Sequence, residues 1–348
     1  QGTTAFSPAS MTLPEAALRT LIESPDDADA AYLLRRARET REAVYGKEIF
    51  ARGLIECTNV CKNDCRYCGI RRSNAHVCRY RLTENEILAC CDTGYALGLR
   101  TFVLQGGEDG FFTDERLCGI VRQIKDRYPD AAVTLSLGER SRESYARLKA
   151  AGADRYLLRH ETADPAHYAL LHPPEMSFEN RMRCLADLKA LGYAAGCGMM
   201  VGSPGQTAQA LCKDLLFIRD FQPEMIGIGP FLPQRDTPFG SCPPGSASQT
   251  LRLLALARLI CPKALIPATT ALGTACADGF VQGILAGANV VMFNLSPESA
   301  RRAYALYDGK TGAGDEAATR LEGFKEQLRG IGCYVTANRG DSAKEAIS

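Results

Sequence analysis

Eight short apolar runs, each followed by a segment of helical periodicity, in a chain of 348 residues without a domain linker, predict an α/β fold. The arrangement expected is a complete (β/α)8 TIM-type barrel with an N-terminal helical cap and C-terminal helices. One domain over 1–348 then consists of an N-terminal extension (1–47), the barrel (48–308) and a C-terminal extension (309–348). The runs are Ile49 to Glu56, Thr101 to Gln105, Ala132 to Leu137, Arg155 to Arg159, Ala194 to Val201, Met225 to Gly229, Leu265 to Ala268 and Val290 to Asn294. Several place Val, Ile or Leu at successive positions instead of alternating, as strands covered on both faces do. An open doubly wound sheet is the alternative.

Residues 13 to 45 read as helical with an interruption at Pro25, and are expected to cap the barrel. Thr83 with Glu86 forms a capping box that opens the helix carrying Ile87 and Leu88. Leu117, Ile120, Val121 and Ile124 make one apolar stripe, and Leu253, Leu256, Ala257 and Ile260 another. The Gly- and Pro-rich stretches 202–205 and 229–245 read as loops after the fifth and sixth strands. Two more helices are expected near 297–307 and 315–329. In such a barrel the chemistry belongs at the C-terminal ends of the strands.

Forty-one Lys and Arg against forty Asp and Glu leave a net charge of +1, so nothing global favours nucleic acid or a membrane surface. No apolar run reaches the roughly 18 residues of a membrane span. The fifteen cysteines are odd in number, most sit singly in apolar patterns, and no secretory signal is read, which points to a reducing cytoplasm. Cys57, Cys61, Cys65 and Cys68 are different: four thiols within twelve residues at the end of the first strand suit zinc or an iron-sulfur cluster. Zinc would normally draw pairs of ligands from separate turns or add a histidine, and the nearest is His76.

The three-then-two spacing of Cys61, Cys65 and Cys68 resembles that of the radical S-adenosylmethionine (SAM) enzymes. The resemblance implies three thiolates on a 4Fe-4S cluster whose fourth iron stays open to SAM. Cys57 is then a small apolar residue of the strand itself. Strand two runs into Gln105-Gly106-Gly107-Glu108-Asp109, a turn whose backbone can approach a ligand and whose carboxylates can receive an ammonium group. Alone it is a common turn; one strand after the cysteines it resembles the motif that holds the SAM amine. Strand four ends in Arg159-His160-Glu161, and strand alternation sends Arg159 and Glu161 to one face and His160 to the other. A structural ion pair at the rim is the alternative for the first two.

Together with Val133 to Glu139, Ser177 to Arg181, Gly227 to Phe231 and Ile266 to Ala271, these segments resemble the HydE-type maturases of iron-iron hydrogenases over roughly residues 40–340. The resemblance implies a complete barrel with a long internal cavity, and a 5'-deoxyadenosyl radical acting on a cysteine-bound iron carbonyl cyanide precursor. It implies no nucleic acid or membrane, but an electron donor and other hydrogenase maturases as partners. Glu161 and Arg181 match SAM-binding positions, as do Gln105, Gly106, Gly107, Glu108 and Asp109 around the methionyl group and Tyr67 beside the last cysteine. Thr134, Arg159, Thr269 and Thr270 match cavity positions that take anions and the substrate carboxylate, while Tyr304 and Tyr307 match tyrosines near adenosine and cavity. Met225 would line the cavity as polarizable filler or plain core. Some members hold an auxiliary cluster by three cysteines near the C-terminus; the corresponding stretch from Lys310 has none, so a single cluster is expected.

Two competing readings are a methylornithine synthase-like mutase, a family without the Leu135-Ser136-Leu137-Gly138-Glu139 and Thr269-Thr270 patterns, and a non-catalytic iron-sulfur carrier. Glu161, Arg181 and Arg159 weigh against a carrier, which has no use for a buried SAM site. His76, His160, His167 and His172 receive no catalytic role, and three of the four are expected in solvated polar loops.

Overall fold

The computed structural model describes residues 14–24 and 26–344; the expectations for residue 13 and for a break at Pro25 lie outside them. The strands are β1 (Glu48–Thr58), β2 (Thr101–Gly106), β3 (Ala132–Ser136), β4 (Arg155–Leu157), β5 (Ala194–Val201), β6 (Met225–Pro230), β7 (Val290–Asn294) and β8 (Tyr334–Val335). The helices are α1 (Glu15–Glu23), α2 (Asp27–Tyr45), α3 (Glu84–Ala96), α4 (Asp114–Arg127), α5 (Arg142–Ala151), α6 (Pro165–Leu171), α7 (Phe178–Ala190), α8 (Ala208–Phe221), α9 (Ala247–Ile260), α10 (Thr270–Ala275), α11 (Gly279–Leu285), α12 (Glu298–Ala303) and α13 (Ala317–Gly330).

Seven strands run parallel in the order β6-β5-β4-β3-β2-β1-β7, a TIM-type partial barrel. The run expected as the seventh strand, 265–268, does not form one. It makes single bridges, Leu265 to Met225 and Pro267 to Val290, and so lies between the two edge strands without a continuous ladder. Pro267 has no N–H to donate, which is why pairing stops there. The expected strand Arg155 to Arg159 is likewise cut to three residues, because the chain turns sharply at Glu161, whose φ is 65°.

Local patterning accounts for the covering helices. Thr83 and Glu86 cap α3 reciprocally, and Leu117, Ile120, Val121 and Ile124 of α4 are all buried. Helix α9 is apolar beyond its stripe, with Leu254 and Ala255 also fully buried, because α2 lies over its outer face. The N-terminal helices therefore thicken the wall instead of capping the barrel: α1 packs on α8 and α2 on α9 and α11. Residues 339–341 close the floor. There Arg52 and Arg155, both buried, each donate to Thr101 Oγ1 at 3.0 Å, Arg52 reaches Gly340 O at 3.0 Å, and Arg155 meets Asp341 Oδ1 at 2.6 Å.

Above that floor the lumen narrows to a void of about 20 Å³ among Val103, Thr134, Leu157, Met225 and Met292, room for about one water. A second void of about 10 Å³ lies between Leu54, Thr270, Asn294, Lys310 and Arg320. Met225 and Met292 both line the void above the floor. No helix among the described residues is long and apolar enough to cross a membrane.

Candidate active site

Cys61, Cys65 and Cys68 follow the end of β1 on a loop that the fold grips from several sides. Lys62 N donates to Glu108 O at 3.0 Å, Arg66 N to Leu171 O at 3.0 Å and Gly69 N to Leu306 O at 2.9 Å. Arg79 ties the loop to itself, donating to the carbonyls of Ile70 and Arg71 at 2.7 and 2.6 Å. Asn59 spans Cys78 O and Ala303 O, both at 2.9 Å. The three thiols are partly exposed and free, whereas Cys57 is buried inside the wall. Cys65 and Cys68 lie within electrostatic reach of Cys61, and burial pushes Cys61 up, Cys65 well up and Cys68 to about 12. Such thiols keep their protons until a metal displaces them.

Among the described residues no three His, Cys, Asp or Glu side chains are placed to share one metal ion. Three soft donors close enough to sense one another, on a loop held by backbone bonds, fit a multi-iron cluster that takes each thiolate on a different iron.

The β2 turn packs directly beneath this loop. A Cβ on Gly107 would sit 2.2 Å from Val60 O and 2.8 Å from Cys61 Cβ, so only glycine lets the two backbones approach. The two expected carboxylates then part company. Glu108 accepts from Glu139 N at 2.8 Å and pairs with the exposed Lys62 at 3.3 Å. Asp109 turns inward and is saturated by Arg81 at 2.7 and 3.0 Å, Thr58 Oγ1 at 2.8 Å and Phe111 N at 3.0 Å. Burial raises the Asp109 pKa, but these bonds outweigh it and hold the carboxyl below its usual range. Its role is to brace the turn, which removes it from the residues able to receive an ammonium group. Beside the turn a cleft of about 390 Å³ opens between Lys62, Glu108, Phe112 and Arg140.

From β4, Arg159 and Glu161 do share a face, joined at 3.1 Å, and His160 points the other way. Glu161 holds a left-handed backbone, a conformation that costs about 1–3 kcal/mol for a side chain of this kind. What holds it is β5: Glu161 N donates to Gly198 O at 2.9 Å, and Gly198 N donates to His160 Nδ1 at 3.2 Å. His160 Nε2 then carries the proton and donates to Asp214 Oδ1 at 3.0 Å. Arg181, capped into place by Ser177 at the start of α7, reaches Glu139 Oε1 and Arg159 O, both at 2.6 Å. Arg181 acts on the Cys65 thiol and Glu161 on Cys68, so the start of α7 and the end of β4 face the cysteine loop.

Two of the histidines expected in solvent are buried: His167 at 6% and His172 at 1% exposure, with His160 at 0%. His172 donates from Nδ1 to Tyr168 O at 2.9 Å, so its Nε2 accepts from Tyr67 OH at 3.1 Å. Burial, with Arg181 adding to it, pushes its pKa down to about 3. The loop reading failed because Tyr168, one helical turn earlier, stacks on His172, and Tyr67 arrives from the cysteine loop to pack edge-on against it.

In the lumen, Thr134 Oγ1 and Arg159 Nε are buried without a partner. Thr269 caps α10 through Leu272 N at 3.2 Å, and its Oγ1 stands over Gly229. Thr270 lines the upper void, and Gln105 reaches Tyr304 OH at 3.5 Å. Tyr307 lies within electrostatic reach of both Glu56 and Arg159, and Met225 lines the lower void as expected. Spacing gave no sign of Arg79, Asn59, Arg81 or Asp214, and Glu139 entered only as part of a motif, with nothing in the sequence pairing it with Arg181.

Residues 55–218 match the radical SAM superfamily. The chain is 47% identical over 278 residues to the FeFe hydrogenase maturase subunit HydE of Thermotoga maritima, covering 80% of this chain and 79% of that one. It is 29% identical over 317 residues to 3-methylornithine synthase of Methanosarcina acetivorans, with 90% and 88% covered. The crystal structure of methylornithine synthase superposes with a TM-score of 0.84 at 28% identity over 93% of this chain and 94% of that one. The maturase HydG shares the fold, with a TM-score of 0.79 at 18% identity over 93% and 73%.

Proposed function

Since the chain belongs to the HydE family of radical SAM FeFe-hydrogenase maturases, we propose that it acts on a cysteine-bound iron carbonyl cyanide precursor of the hydrogenase H-cluster. The observation that carries the reading is the convergence of the cysteine loop, the β2 turn, Arg159, Glu161 and Arg181 at one end of the strands. Cys61, Cys65 and Cys68 would hold a single 4Fe-4S cluster, with SAM between Tyr67, Gln105, Gly106, Gly107, Glu108, Glu161, Arg181 and Tyr304. When bound, the cluster supplies the electron that cleaves SAM to a 5'-deoxyadenosyl radical.

The chain's own part is positioning. Arg181 fixes the turn carrying Arg159 and Glu161, whose carboxylate pairs with Arg159 at 3.1 Å. Arg159 offers a planar fork for a carboxylate, and the partnerless Thr134 Oγ1 supplies a hydroxyl below it. Thr269, Thr270 and Tyr307 line the remaining wall without adding charge. The compartment proposed is a reducing cytoplasm, supported by fifteen unpaired thiols, with an electron donor and sister maturases as partners.

The test reduces the anaerobically reconstituted protein with SAM, measures 5'-deoxyadenosine, and then asks whether the protein completes activation of apo-hydrogenase in a maturation mixture. Both are expected, with about four irons per chain, and Cys65→Ser should give neither. A carrier would bind iron and release no 5'-deoxyadenosine. A methylornithine synthase-like mutase would fail to activate hydrogenase and form 3-methylornithine instead.

A further inference from the structure

Among the described residues Glu161 is one of two, glycines aside, that hold a positive φ, and the other, Gln222, ends α8 in a left-handed helix cap. Glu161 lies in the turn between β4 and α6, where no helix end calls for that conformation.

The turn is gripped from behind by α8. Asp214 Oδ1 accepts from His160 Nε2 at 3.0 Å and from Ala163 N at 2.6 Å, so one carboxylate oxygen holds the residue before Glu161 and the residue two after it. Lys213, the preceding residue of α8, pairs with Asp164 at 2.6 Å. On the β5 side, Gly198 N donates to His160 Nδ1 at 3.2 Å while Gly198 O accepts from Glu161 N at 2.9 Å. These bonds close a circuit around a single strained residue.

His160 and Asp214 are both 0% exposed, and Asp214 Oδ2 is buried with no hydrogen-bond partner. An imidazole that accepts at Nδ1 is neutral, so the buried carboxylate has only neutral donors. Apolar side chains of similar volume would serve stability as well or better. What they would not supply is the circuit.

We propose that His160 and Asp214 are positioning residues for SAM, which hold Glu161 in its left-handed conformation and so present its carboxylate to SAM beside Arg159. This rests on the function proposed above, in which Glu161 contacts SAM. Both residues are fully buried, so they act through the turn and not on the ligand itself.

The experiment measures anaerobic calorimetric binding of SAM to the reconstituted protein, together with Tm, for Asp214→Asn, Asp214→Leu and His160→Asn, each alone and combined with Glu161→Gln. Asp214→Asn keeps an oxygen for both donors and should bind SAM within about twofold of the wild type. Asp214→Leu removes that oxygen and should weaken SAM about tenfold. His160→Asn keeps an acceptor in the place of Nδ1 but loses the link to Asp214, and should weaken SAM about fivefold. In the Glu161→Gln background each loss should shrink to about twofold or less, while Tm falls by the same amount in both backgrounds. A merely structural pair would give the same loss of affinity with and without Glu161→Gln. That result overturns the proposal, as does an Asp214→Leu protein that binds SAM like the wild type; if Asp214→Leu does not fold, the same comparison with His160→Asn decides. A wild type that neither binds SAM nor forms 5'-deoxyadenosine sinks the function reading, whereas one that does both, with no loss in the variants, sinks only this inference.

Discussion

Replacing Gly107 by alanine tests the geometry of the site at its tightest point. The new methyl carbon would lie 2.2 Å from Val60 O and 2.8 Å from Cys61 Cβ, where ordinary contact begins at 3.4 Å. The shortfall of roughly 1 Å falls on backbone, which cannot rotate away, so the cysteine loop has to retreat. Overpacking of this kind costs about 1–3 kcal/mol, a fall of roughly 1–4 °C in Tm for a chain of this size. The larger effect is positional, because a displacement of about 1 Å at a reacting centre lowers rates about 100-fold. Gly110, three residues on, is the control: its φ is not positive and nothing lies within 4 Å of an added Cβ. Iron content after reconstitution, Tm and 5'-deoxyadenosine formation are measured for both variants. Gly107→Ala matching Gly110→Ala in iron and rate would refute the claim that the β2 turn supports the cysteine loop.

Glu161→Gly relieves a left-handed backbone, so stability should hold or rise by about 1 kcal/mol while SAM binding falls; loss of stability in urea unfolding would show the residue is unstrained. His172 stays neutral in the fold down to about pH 3, whereas the unfolded chain protonates near 6.5. Its contribution is therefore complete above about pH 6.5 and is lost as pH falls toward 3, by roughly 1.4 kcal/mol per unit. His172→Gln should flatten the acid limb of the urea midpoint against pH, and an unchanged slope would remove His172 from the cause. Ending the chain after Asn338 strips Arg52 and Arg155 of the Gly340 carbonyl and the Asp341 carboxylate. Losing these acceptors should cost about 3–5 kcal/mol; a truncated chain as stable as the full one would show that the floor needs no cover.

What the amino-acid order alone determined is whatever lies within one element or one turn. The capping box at Thr83 and Glu86, the stripes of α4 and α9, and the opposite faces of Arg159 and His160 depend on separations of one to seven residues. The three-then-two spacing of the cysteines is equally local, since all three ride one loop. Tertiary structure decided the rest, because its contacts join residues that no periodicity relates. Asp109 looked free to receive an amine until Arg81 and Thr58 closed on it. Two histidines in polar surroundings proved buried, His172 against Tyr67 and His167 against Ser203 and Pro204, and the N-terminal helices chose the barrel wall instead of its end. The ion pair of Glu56 with Lys310 spans 254 positions. Closing so long a loop depends on the whole barrel being folded first, so its register is absent from any window of sequence.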